Sequence, residues 1–394
     1  MDKKLSHLLA FFLCGILLTG VFTGCINQGQ KSAVSTETVL PAAQLDHPSV
    51  LPNWTDREYH DYSGTMEMLN GFNDKYPDLV DVFSIGKSVL GKDIWCIRLT
   101  NEKNNTIKSS CLIDGCIHGY EWEGGEACLY LAEYLLINFN GNKTIAHILN
   151  SSEVNIVPLV NPDGRQDDSR YNDNGIDLGR NFDIDFGRIR GTSIPLGKLF
   201  GRIKIPSIPS NYREFTLLHK WFPSFPPFLY NCGRHPFSEP ETQAMRDFMR
   251  ELENNDFSFY LNCHTAMHSI GFPWTAFKPP FEISKQEQYI FDYVIEWIVK
   301  NTEYEKYDSN LFYKASGSSP DWCFKEFRIP TFMFEILSLY YNSLPPKHDH
   351  LVHWMETTLP VFMYLLVNID NLRLWRTPDI QPSLPEGVPP EPLQ

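Results

Sequence analysis

The sequence predicts an α/β domain in which helices cover a central sheet. Two observations carry this. Strand-like and helix-like segments alternate from Trp54 to about Leu374 with no composition-biased linker between them. The 42% of hydrophobic residues is enough for one large core, and the 21% of charged residues is too few for a disordered chain. A chain of 394 residues leaves room for one large domain or two ordinary ones, and one is the more economical reading.

The first segment is read as an address. Lys3 and Lys4 precede an apolar run from Leu8 to Leu18, and small residues follow up to Gly24 and Cys25. This is the layout of a secretory signal over residues 1–24. The run is shorter than the ~20 apolar residues of a stable spanning helix. Phe22-Thr23-Gly24-Cys25 is similar to a bacterial lipobox, in which Cys25 is lipidated and becomes the new N-terminus. An ordinary secretory signal and an uncleaved anchor helix are the alternatives. The expected location is outside the cell or in the periplasm, on a lipid anchor. Residues 25–53 are polar, lack any period, and read as a flexible tether.

Within residues 54–374, apolar runs mark strands at Val82–Phe83, Ile94–Leu99, Cys111–Ile117, Val154–Val160, Phe257–Cys263 and Thr331–Ile336. Helical periodicity marks Gly64–Tyr76, Gly124–Asn138, Glu239–Leu252, Ser284–Asn301 and His350–Ile369. Residues 183–234 have neither period. They carry cationic side chains (Arg188, Arg190, Lys198, Arg202, Lys204) among aromatic ones (Phe200, Tyr212, Trp221). Structureless stretches of that length are uncommon and often functional. A lid that shapes the cleft is the plainer expectation, and contact with anionic headgroups or substrate the sharper one. Residues 375–394 are rich in Pro and cannot continue a helix.

Cysteine spacing shows no zinc-finger pattern and selects no disulfide among Cys96, Cys111, Cys116, Cys128, Cys232, Cys263 and Cys323. With 34 basic against 48 acidic residues the net charge is -14, which argues against a nucleic-acid partner.

The chemistry sits at the ends of the apolar runs. Residues Cys111–Ile117 lead into His118-Gly119-Tyr120-Glu121, Phe257–Cys263 into His264, and Thr331–Phe334 into Glu335. In open α/β sheets the ligand crevice lies outside the carboxyl ends of the strands, where such side chains converge. Two His and one Glu with an open fourth position match a catalytic zinc site, and a further Glu can serve as its base.

Ordered blocks then give a resemblance. Gly86-Lys87-Ser88 with Gly91-Lys92, which fails as a phosphate loop because the upstream Gly is missing, is the first of them. Asn161-Pro162-Asp163-Gly164, the stretch Gly175–Phe182 (GIDLGRNF), Pro236–Thr242 (PFSEPET), Tyr313–Gly317, Asp321-Trp322 and Phe332–Glu335 follow in order. With HxxE at His118 and the later His264, the chain resembles the zinc carboxypeptidase family of the carboxypeptidase A type from Tyr59 to the last helix. The resemblance implies a single domain with a mixed, mostly parallel twisted sheet covered by helices on both faces. It implies one Zn²⁺ on His118, Glu121 and His264, with Glu335 as general base and Arg170 stabilising the oxyanion. Arg180 and Tyr313 would hold the substrate's terminal carboxylate. Phe312, Ala315, Pro320 and Met333 would line an apolar side-chain pocket suited to apolar or aromatic terminal residues.

Two positions depart from the pattern. Gly179 stands where the family has Asn, and Tyr120 where it often has Arg. Both weaken the expectation of strict C-terminal recognition. The expected enzyme is a monomeric metallocarboxypeptidase acting on peptides, without a folded pro-segment or accessory β-domain. Hydrolysis of cell-wall peptides, such as a γ-D-glutamyl bond, and a non-catalytic peptide-binding relative are the alternatives.

Overall fold

The structure is a computed structural model that describes residues 59–189, 193–195, 202–204, 208–209, 231–276, 278–307, 314–338 and 348–374. The signal, Cys25, the tether and the Pro-rich tail fall outside the described residues. The chain divides into two units, one of Ser49–Gly187 with Asn231–Gln394 and one of Met1–Pro48 with Arg188–Tyr230.

In the larger unit, α1 (Tyr62–Lys75) starts where Asp61 Oδ1 accepts from the Gly64 amide at 2.7 Å, satisfying one of the orphan donors of a helix start. Strands β1 (Val80–Lys87), β2 (Asp93–Leu99) and β3 (Ser109–Asp114) follow. Next come α2 (Trp122–Asn138), α3 (Lys143–Ser151), β4 (Ser152–Val157) and α4 (Pro162–Gln166). In the other unit, β5 (Arg188–Ile189) pairs antiparallel with β8 (Ile208–Pro209), and β6 (Ser193–Pro195) with β7 (Arg202–Lys204). The segment expected to lack periodic structure thus holds nested short strand pairs, too short for a period of two to be read. The larger unit resumes with α5 (Pro240–Glu253), β9 (Phe257–Gly271), α6 (Lys285–Asn301), β10 (Glu305–Lys306) and α7 (Ser319–Phe327). It closes with β11 (Thr331–Ser338), α8 (His348–Val367) and α9 (Ile369–Leu374).

One sheet of the larger unit runs β1-β2-β4-β3-β9-β10, with β11 also on β9. The pairs β1/β2 and β2/β4 are antiparallel, whereas β3/β4, β3/β9, β9/β10 and β9/β11 are parallel. The sheet is therefore mixed and mostly parallel. Every residue of β3 is buried, as expected for a parallel strand covered on both faces.

The differences from the sequence reading have local causes. Among the helices that escaped the periodicity, α3, α4 and α7 each have nine residues or fewer. Their start signals were present: Asn142 caps α3, and Pro162 and Pro320 occupy the first turns of α4 and α7. Strand β9 does not end at Cys263. It continues to Gly271, where β10 and β11 supply partners for a stretch whose Thr265, His268 and Ser269 hide the apolar pattern. The seven described cysteines are all buried and none is in a disulfide, so they pack as small, mostly apolar side chains.

An aromatic triangle joins the segment before residue 183 to the rest of the core. Phe182, Phe237 and Trp322 lie 5.2–5.8 Å apart between ring centroids, in edge or tilted contact. It pins the turn carrying Asp177 and Arg180 to α5 and α7. Phe182 is fully buried. Phe182→Ala should therefore lower unfolding stability by about 3–5 kcal/mol, measured by denaturant titration with the wild-type slope retained.

Candidate active site

Past Asp114, the last residue of β3, the chain turns through Gly115 and Cys116 and delivers His118 three residues before Glu121, the N-cap of α2. A carboxylate is favoured at a helix N-terminus. This loop packs directly on the start of α4. A Cβ at Gly119 would lie 2.0 Å from the backbone carbon of Gly164, so only glycine permits the approach. Asn161 holds the other side, accepting from the Gly164 amide at 2.9 Å and donating to the Ile117 carbonyl at 3.4 Å.

The remaining sequence blocks act as braces. Asp163 accepts from the Leu90 amide at 3.0 Å and pairs with Lys92 at 3.1 Å, so the Gly86–Lys92 stretch docks on α4. Glu241 accepts from the Val89 amide at 3.0 Å, and Glu239 and Glu241 share the Asn172 amide donor. Asn181 donates to the Cys232 carbonyl and Ser238 Oγ and accepts from Thr242 Oγ1. These bonds make one rigid rim from segments far apart in sequence.

On that rim, His118 Nδ1 lies 2.7 Å from Glu121 Oε1 and His264 Nδ1 lies 2.8 Å from Glu121 Oε2. All three residues are buried, and one ligand atom from each lies within 4.8 Å of the others. The second ring nitrogens face acceptors: His118 Nε2 lies 3.1 Å from Asp177 Oδ1, and His264 Nε2 lies 2.5 Å from Asn262 Oδ1. Such outer partners direct the inner nitrogen of each ring to a common point. Two imidazoles and one carboxylate converging in this way fit a zinc ion.

Burial pushes Glu121 up, but the His118 and His264 rings outweigh it and hold its carboxyl well below the usual range. Burial acts on Asp177 in the same sense and is overcome by Arg170, Arg180 and His118. Arg170 donates to Asp177 Oδ2 at 2.9 Å, to Tyr120 Oη at 3.2 Å and to Glu121 Oε1 at 3.4 Å. Tyr120 is exposed at the rim, its ring within 16° of parallel to that of His118.

Glu335 arrives by register. Strand β11 sets Met333 beside Asn262 and Glu335 beside His264, while Asn262 is level with Asp114 on β3. Glu335 is buried, and burial pushes its carboxyl up to about 7; His264, Arg170 and Arg180 oppose that and Glu121 adds to it. Met333 lies two residues before Glu335 and so shares its face of the strand. Ala315 is half-buried and its amide donates to the Thr275 carbonyl at 2.9 Å. Pro320 is buried in the first turn of α7, its carbonyl accepting from Thr331 Oγ1. Arg180 is half-buried and donates to the Gly179 carbonyl at 2.7 Å. Phe312 and Tyr313 lie outside the described residues.

The structure thus brings His118, Glu121, His264, Glu335 and Arg170 together, with Arg180 near enough to act on Glu335 and Asp177. Sequence reasoning assigned no role to Asp177, Asn262 or Asp114. Their signal was polarity: Asp114 and Asn262 interrupt apolar runs, where a buried polar group needs a partner.

The zinc carboxypeptidase family model, Peptidase M14, matches residues 65–358. Carboxypeptidase O of Bos taurus is 23% identical over 353 residues, covering 83% of this chain and 81% of that protein. Two solved structures share the fold. Bovine thrombin-activatable fibrinolysis inhibitor has a TM-score of 0.59 and 21% identity, covering 80% of this chain and 98% of that one. Carboxypeptidase A from Helicoverpa armigera has a TM-score of 0.58 and 19% identity, covering 79% and 74%. The chain belongs to the zinc carboxypeptidase family and is a metallopeptidase by that membership.

Proposed function

We propose that this chain is a metallocarboxypeptidase that removes apolar or aromatic residues from peptide C-termini, with one zinc ion held by His118, Glu121 and His264. The observation carrying the proposal is the convergence of those three side chains beside Glu335, which the β9/β11 register sets next to His264. Zinc, when bound, supplies a Lewis acid that polarises the scissile carbonyl and makes a water nucleophilic near neutral pH.

The protein's own groups do the rest. Glu335 in its carboxylate form takes a proton from the attacking water and later passes it to the leaving amine. Arg170 directs its guanidinium toward the site, aligned by Asp177 and Tyr120, and donates to the oxygen that gains charge in the transition state. Arg180 pairs with the terminal carboxylate, and Tyr313 adds a hydrogen bond to it. We assign the apolar pocket for the terminal side chain to Ala315, Pro320 and Met333, together with Phe312, which lies outside the described residues.

Gly179 favours a second reading, the hydrolysis of cell-wall peptides by the same site. It offers no side-chain donor to a terminal carboxylate, and His118 occupies the space where a Cβ would begin. We further propose export with lipidation at Cys25, resting on the pattern of residues 1–25. Among the described residues no helix is long and apolar enough to cross a membrane.

Three outcomes are expected. Glu335→Gln should keep zinc, measured by metal analysis, and lose about 10²–10⁴-fold in kcat; full activity would overturn the mechanism. Because Glu335 must be deprotonated to act and burial raises its pKa from 4.5 toward about 7, kcat/KM should rise with pH along an acidic limb between these values. A bound cation moves that limb toward the lower end. A Cβ at residue 179 would lie 2.8 Å from His118 Nε2 and 3.3 Å from Asp177 Oδ1. Restoring the family residue with Gly179→Asn should therefore weaken zinc binding by about 10–100-fold in a chelator competition, rather than improve catalysis.

A further inference from the structure

The two histidines of the site are braced differently. His118 Nε2 faces a carboxylate directly, Asp177, which Arg170 balances from the other side. His264 Nε2 faces the neutral carbonyl oxygen of Asn262, and the carboxylate is one step further back. Asn262 Nδ2 donates to Asp114 Oδ1 at 2.6 Å, and Tyr260 Oη donates to Asp114 Oδ2 at 2.7 Å. Tyr260 Oη also lies 2.9 Å from Ser319 Oγ on α7. Asp114 and Tyr260 are fully buried, and Asn262 is 1% exposed.

The direction of this chain is decided by chemistry. A carboxylate accepts and cannot donate, so Asp114 must face the NH₂ end of the Asn262 amide. That leaves the carbonyl end toward the ring, and a carbonyl accepts only. His264 Nε2 must then carry a proton, and the lone pair available to a metal is on Nδ1, the atom that faces Glu121. The amide orientation of Asn262 thus selects the tautomer of His264.

Building on the proposed zinc site, we infer that Asp114, Asn262 and Tyr260 form a positioning relay that fixes His264 for metal binding. Register supports it independently of the hydrogen bonds. Strand β3 places Asp114 level with Asn262, and residues 260, 262 and 264 alternate onto one face of β9. None of the three touches the reacting atoms, and their effect is carried by His264 alone. A purely structural reading, in which Asp114 simply satisfies two buried donors, predicts lost stability without a change in the zinc site.

The test uses the full chain with zinc affinity measured by chelator competition. Histidine-labelled, zinc-loaded protein gives the ring ¹⁵N spectrum. Asn262→Leu should weaken zinc binding by about 10–100-fold and remove the protected His264 Nε2 proton from that spectrum. Asp114→Asn should weaken it several-fold, and the double variant no further than Asn262→Leu alone, because residues in one network are not additive. If Asn262→Leu fails to fold by near-UV circular dichroism, Asn262→Ser supplies a polar side chain too short to reach the ring. Tyr260→Phe then tests the far end of the relay by a mild change. Folded variants with wild-type zinc affinity and an unchanged His264 proton, or losses that simply add, would overturn the relay. Wild-type protein that binds no zinc would defeat the metal reading itself, a separate outcome.

Discussion

Glu121 is a carboxylate taken out of water where the loop after β3, the start of α2 and the middle of β9 meet. Removing such a charge from solvent costs several kcal/mol unless partners replace the water. Here the donors are the Arg170 guanidinium at 3.4 Å and the Thr265 amide at 3.3 Å, and two imidazole nitrogens at 2.7 and 2.8 Å are placed to share a cation with it. Each of these must itself be held. His118 and Arg170 are held by Asp177, His264 by Asn262, and Asp177 by its place in the GIDLGRNF turn. A divalent cation among the three inner ligands supplies the positive charge this arrangement is shaped around. The scaffold around the site can be understood as what keeps these partners in place.

The parallel part of the sheet does most of that work. Strands β3, β9 and β11 stand side by side, and the long β9 folds its second half back along β11, so Met333 and Glu335 each meet β9 twice. Asp114, Asn262 and Met333 share one level, and His264 and Glu335 share the next. This is why the site was legible from sequence. Apolar runs of buried strands are easily read, and the polar residue that ends each run marks the crevice. His118 was found in this way just past β3, with Glu121 three residues on, whereas His264 and Glu335 end apolar runs but lie inside β9 and β11, which continue to Gly271 and Ser338.

The less legible parts depend on partners distant in sequence. Asn262 and Asp114 sit inside apolar runs and could be taken for isolated polar substitutions until the strands are paired. Asp177 belongs to a turn with no period, and its role appears only when Arg170 and His118 are brought to it. The short helices α3, α4 and α7 contain too few turns for a period, although a cap or a proline announces each. The Gly86–Lys92 stretch lacks the upstream Gly of a phosphate loop, and its amides meet the Asp163 and Glu241 carboxylates, so it serves as a brace. Gly179 leaves no side chain beside His118, and Tyr120 gives Arg170 a hydroxyl partner.

The central claim, zinc-dependent removal of residues from peptide C-termini, is tested most directly by digesting a defined peptide library and following products by mass spectrometry. Reactions run in parallel with zinc, with a chelator, and on C-terminally amidated copies. The account predicts stepwise loss of single C-terminal residues, fastest for apolar and aromatic ones, abolished by the chelator and absent from the amidated peptides. Cleavage at internal bonds, or hydrolysis that persists without metal, would contradict it.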